Sequence, residues 1–217
     1  MAILRMMLRP GAMLLATLFP MAVCSAQDVG LVNMLQGEVT HQGASAAVRV
    51  SPFMKVREGD RFLIGEGAIL RVVYFDGGRQ ETWKGPAAFK AGIRQGEASS
   101  GKAEVTQVPG GVPAKLAQTA EVIQIAKLGR AGGVTVRGFS GGQIGAARAA
   151  EVAQAKRTYE GWRAVAADDD ITPELFLYTV LDEHMLYEDM RTVVKVMMEK
   201  APNSPEVRDL AAWVAGR

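Results

Sequence analysis

Apolar positions follow two regimes along the chain. From Val29 to about Lys90 they come in short runs, "VGLVNML", "GEVTH", "AVRV" and "DRFLI", broken at Gly37, Ser51-Pro52 and Gly65–Gly67. Short runs punctuated by glycine or proline at roughly 8 to 12 residues predict an antiparallel barrel or sandwich. The clearest local signal is "ILRVVYFDGGRQETW", where Asp76 and Gly77 suit a hairpin turn between Ile69–Phe75 and Arg79–Trp83. Gly59 and Asp60 mark a second structural turn. Ile69–Phe75 is apolar on both faces except at Arg71, the pattern of a central strand.

Residues Gly92–Gly111 are rich in Gly, Ser and Pro, with one expected strand at Ala103–Val108. A helix is expected over 114–128, with Leu116, Ala120, Ile123 and Lys127 at helical spacing, and "GGVTVRG" reads as a further strand. "FSGGQIG", Phe139–Gly145, reads as a hinge. Beyond it the period becomes helical: Val152, Ala155, Tyr159, Trp162 and Val165 form one stripe over Ala146–Ala167. A second helix starts at Thr172-Pro173-Glu174 and carries Leu175, Tyr178 and Leu181. A third spans Tyr187–Lys200, with Met190, Val193, Val194 and Met197 inward, and a fourth begins at Ser204-Pro205-Glu206 and buries Val207, Leu210, Ala211 and Val214. The expectation is an α+β chain. A β-barrel or sandwich over 27–138 precedes a small all-α domain of helical hairpins over 146–217.

The first residues change the setting. Arg5 and Arg9 precede an uncharged apolar run from Gly11 to Cys24, followed by small residues, the pattern of a secretory signal cleaved after Ala26. Removal leaves 23 basic and 23 acidic residues and takes away Cys24, the only cysteine. A mature chain without net charge or a basic stripe has no global attraction for nucleic acid. Without a thiol it has no disulfide, thiolate catalysis or cysteine-bound zinc. Periplasmic localisation is expected, with no membrane span in the mature chain.

"GEV" at Gly37, "GD" at Gly59-Asp60, the step Gly65–Gly67, "FDGG" at Phe75–Gly78 and "GPAAF" at Gly85–Phe89 resemble the FecR domain. That domain is the periplasmic module of iron-citrate-type signal regulators. The resemblance covers roughly Val29–Lys90 and implies a non-catalytic module for sensing or protein interaction. Signalling members carry a sigma-factor-binding segment and a membrane span before the domain. Here only nine residues precede the apolar region, so the expectation is work within the envelope rather than direct sigma-factor control. The helical part resembles a degenerate tetratricopeptide repeat. Leu177, Val194 and Pro202 match its Leu, Phe and Pro points, while Glu174, Tyr178 and Leu181 stand at its Trp, Gly and Tyr points.

Candidate chemistry is sparse. Gly65-Glu66-Gly67 opens a strand, whereas a phosphate loop must open a helix whose N-terminus meets the anion, so these glycines are sheet corners. "GFSGG", Gly138–Gly142, matches a hydrolase elbow at Ser140, with Asp168, Asp182 and His184 following in triad order. That fold requires further strands after the serine, and everything downstream reads helical. "DDDITPE" opens like a calcium loop but has Pro173 where glycine belongs and Thr179 where the closing glutamate belongs. No catalytic residue, metal site or cofactor is therefore assigned. The expected function is protein interaction or regulation in the envelope, through a helical groove around Tyr159, Tyr178 and Tyr187. Glycan or peptidoglycan binding through Trp83 is the alternative, and a serine hydrolase using Ser140 a third, weaker reading.

Overall fold

The computed structural model describes residues 27–43, 47–132 and 145–217. Its strands are β1 (Asp28–Gln36), β2 (Val39–Gln42), β3 (Val48–Arg49), β4 (Lys55–Arg57), β5 (Arg61–Ile64), β6 (Ile69–Tyr74), β7 (Arg79–Lys84), β8 (Ala87–Ala91), β9 (Gly96–Ser100) and β10 (Ala103–Gln107). Its helices are α1 (Val112–Gly132), α2 (Ala146–Arg163), α3 (Thr172–Glu183), α4 (Tyr187–Lys200) and α5 (Pro205–Ala215). The strands form two antiparallel five-stranded sheets, ordered β10-β7-β6-β1-β4 and β3-β2-β5-β8-β9. These sheets face one another as open layers, and the fold is α+β. Among the described residues no helix is long and apolar enough to cross a membrane.

Alternation along the strands builds two cores. Val32, Leu70, Val72 and Tyr74 of the first sheet meet Phe62, Ile64 and Phe89 of the second. Trp83 stacks on Phe89 with ring centroids 4.4 Å apart, and Phe89 stacks on Phe62 at 4.9 Å. The opposite face of the first sheet is also covered. Leu31 and Val73, paired across β1 and β6, join one cluster with Leu116, Ile123, Leu175, Leu181, Met190 and Leu210 of the helices. A strand buried on both faces must be apolar on both faces, as read for β6.

α3 is the hub of the helical layer. Every residue from Thr172 to Leu181 is buried, so a helix expected to carry one apolar face is enclosed all round. α4 places Met190, Val193, Val194 and Met197 inward as its spacing predicts, and Ser204 caps α5 by accepting from the Val207 N–H at 3.3 Å.

Several expectations shift. α1 buries Ala126 in place of Lys127, whose ammonium instead meets buried Glu206 at 3.7 Å. α2 ends at Arg163, whose side chain reaches forward to donate to the Ala166, Ala167 and Asp170 carbonyls of the turn that follows. Val165 therefore lies beyond the helix, 82% exposed, rather than on its stripe. Thr172 is the first residue of α3, and Asp170 satisfies its N–H at 2.9 Å. Gly132, the first residue of the expected strand "GGVTVRG", ends α1 instead; the rest of that strand and nearly all of the hinge lie outside the described residues, as do the signal segment and Ser140.

Candidate functional site

The four structural-turn residues sit where their chemistry requires. Gly59 and Gly77 have φ values of +89° and +83°, which favour glycine. Asp60 accepts from the Arg57 N–H at 2.8 Å and closes the β4–β5 turn. Asp76, in the β6–β7 turn, pairs with Arg94 at 2.6 Å.

The β4–β5 turn also borders an open groove of about 1140 Å³ between the rim of the sheets and α1. His41, Lys55, Arg57 and Asp60 line one wall, and Glu121, Gln124 and Ile125 the other. His41 Nε2 lies 3.1 Å from Asp60 Oδ1, with its ring tilted on Phe62 at 5.3 Å. Its Nδ1 is buried and meets no hydrogen-bond partner among the described residues. Lys55 Nζ spans the floor, 3.2 Å from both Asp28 and Glu121, and so ties β4 to α1. Burial alone would lower this ammonium, but the hydrogen bonds and charges of Asp28 and Glu121 outweigh it and raise its pKa. Phe53, at the groove, holds φ +60°, an unusual conformation for an aromatic residue. Val48 and Ile125 add apolar rims, each about half exposed at 52% and 50%.

Among the described residues the lining contains no serine, threonine or cysteine. Its charges are balanced, with Lys55, Arg57 and Arg61 against Glu58, Asp60 and Glu121.

The residues expected to meet a partner do not line one groove: Tyr159 stands apart on α2, while Tyr178 and Tyr187 neighbour one another where α3, α4 and α5 meet. Tyr178 is 1% exposed and lies within the helical core, so its ring offers no surface. Tyr159 is half-buried on α2 and donates to Glu174 at 3.3 Å, and Glu174 in turn pairs with Arg163 at 3.2 Å. Burial and the Glu174 charge raise the Tyr159 pKa. Tyr187 belongs to another corner, beneath the guanidinium of Arg217. Trp83 is 2% exposed and donates to Glu81 at 3.2 Å, so it has no free face on which a sugar could stack.

The residues of the triad order separate too. His184 Nε2 meets Glu151 at 3.3 Å, and Asp182 faces Trp213 instead. Glu151, Glu183 and His184 bring their ligand atoms within 4.8 Å of one another. Lys115 Nζ lies between the carboxylates, 3.3 Å from Glu151 and in contact with Glu183, so the chain supplies the cation itself. Asp170, expected in the acidic run, is buried and structural: it accepts from Thr172 and pairs with Arg71.

Sequence reasoning missed the groove because its walls come from β2, the β4–β5 turn and α1, which are far apart in the chain. No family model, curated protein or solved structure matches this chain.

Proposed function

We propose that this chain is an exported, non-catalytic FecR-domain-like module that docks a protein partner in the cell envelope. The groove between the sheet rim and α1 is the observation that carries the reading. Its half-exposed Val48 and Ile125 supply apolar anchors, surrounded by charges of both signs, which is the composition of a protein-binding surface with an apolar centre and a polar rim. The occupant is a polypeptide segment, because balanced charge and a long open trough suit a chain of mixed side chains better than a small anion. The export signal and the FecR-like glycine steps support the compartment and the class. The tetratricopeptide-like helices act as the back wall that holds α1 in place.

The test is capture of envelope proteins by the exported chain, its groove variants Ile125→Glu and Arg57→Glu, and Val105→Glu as the control. Val105 lies on β10, at the opposite edge of the sheet from β4, and is exposed. A partner lost with both groove variants and retained with the control supports the reading. A partner retained by all three refutes it.

A further inference from the structure

α3, α4 and α5 meet around a single guanidinium. Arg217 Cζ lies 3.8 Å from the ring centroid of Trp213 and 5.8 Å from that of Tyr187. The Trp213 indole faces Asp182 as a hydrogen-bond donor, and the Asp182 carboxylate and Arg217 attract one another. Deeper in the corner is the Tyr178 hydroxyl. It is buried, meets no hydrogen-bond partner among the described residues, and feels the charges of Asp182 and Arg217.

These groups are the parts of a cation receptor. Aromatic faces carry negative quadrupole density and draw cations within about 6 Å. The partly buried carboxylate supplies the opposite charge, and burial pushes its pKa up, so it gains from a cation held close. Among the described residues Arg217 makes no ion pair with Asp182: it stacks on the rings, so the Tyr178 hydroxyl and the part of the Asp182 carboxylate that Trp213 does not engage remain for a better-placed donor. A planar guanidinium suits this corner better than an ammonium, because it stacks flat on indole while its edge still donates.

We propose that the corner formed by Tyr187, Trp213 and Asp182 is a receptor for an arginine side chain presented by a partner polypeptide, with Arg217 as its resident competitor. The corner shares no residue with the groove and stands without the reading above.

The experiment titrates the full chain and its Arg217→Ala variant by calorimetry with acetyl-Gly-Arg-Gly-amide and the lysine counterpart. Removal of the competitor should tighten arginine-peptide binding by about tenfold and leave lysine-peptide binding weaker. Adding Asp182→Asn, or separately Trp213→Ala, to Arg217→Ala should reverse the gain by a similar factor, with thermal unfolding confirming that each variant folds. No gain on removing Arg217, equal affinity for the lysine peptide, or a gain that survives both second substitutions would overturn the assignment.

Discussion

Arg71 and Asp170 join the two layers of this protein. Arg71 Nη1 on β6 lies 3.2 Å from Asp170 Oδ2 in the turn before α3, and both side chains are largely buried. The same Asp170 accepts the Thr172 N–H with its other oxygen, and Thr172 Oγ1 in turn accepts from Asn33 Nδ2 at 2.8 Å. Asn33 also donates to Gln80 at 3.0 Å. A chain of polar contacts therefore runs from β1, β6 and β7 to the first turn of the central helix, inside the shared apolar cluster.

Breaking that link from one side should be costly. Arg71→Met leaves Asp170 charged and buried, with an expected loss of about 3 kcal/mol of stability. Asp170→Asn keeps the bond to Thr172 and should cost less. Urea unfolding of the two single variants and the double variant measures this, and a strong non-additivity is expected.

The second link is electrostatic and titrates. The hydrogen bond and charge of Lys115 hold exposed Glu151 below its ordinary value of 4.5. Burial opposes the Lys115 charge, but Glu183 and Glu151 overcome it and raise that pKa above 10.5. A depressed carboxylate contributes stability above its unfolded value and loses it as pH falls through the folded one. A raised ammonium contributes below its unfolded value and loses it as pH rises through the folded one. The contribution should therefore be flat between 4.5 and 10.5 and decline on both sides. In Lys115→Met both declines should flatten, as read from unfolding midpoints across pH.

Two glycines separate close approach from simple turn geometry. Both Gly37 and Gly77 have positive φ, but a Cβ at Gly37 would meet Ala68 at 2.9 Å, while one at Gly77 meets open space. Gly77→Ala should cost about 1 kcal/mol from backbone conformation alone. Gly37→Ala should cost about 1 kcal/mol or more beyond that, because Ala68, in the turn before β6, must shift. Comparison of thermal midpoints checks the order.

The aromatic corner makes a spectroscopic prediction. Burial raises the Asp182 pKa and Arg217 opposes that rise; Glu183 adds to it. Arg217→Ala should move the Asp182 carboxyl transition to higher pH, followed by its side-chain carbon shift in NMR. An unchanged transition would mean that the two groups do not interact in solution.

Much of the architecture was legible because periodicity reports burial. The β6–β7 hairpin, the inward Met and Val residues of α4 and the Ser204 cap all follow from local patterns. β4 and β9 did not, since Lys55–Arg57 and Gly96–Ser100 are short or exposed strands with no apolar alternation. Their pairing partners, rather than their own residues, make them strands. Tyr178 shows the limit for sites: at helical spacing a surface tyrosine and an enclosed one look alike, and only the packing around α3 decides. The groove, too, needed β4 and α1 brought together before Lys55 and Glu121 could meet.

The most direct test replaces Gln124, exposed on the α1 wall of the groove, with a photo-crosslinking residue in living cells, with Val105 on β10 as the comparison position. A discrete protein adduct at position 124 and none at 105 is the result expected of a docking groove. No adduct at 124, or the same adducts at both positions, would contradict it.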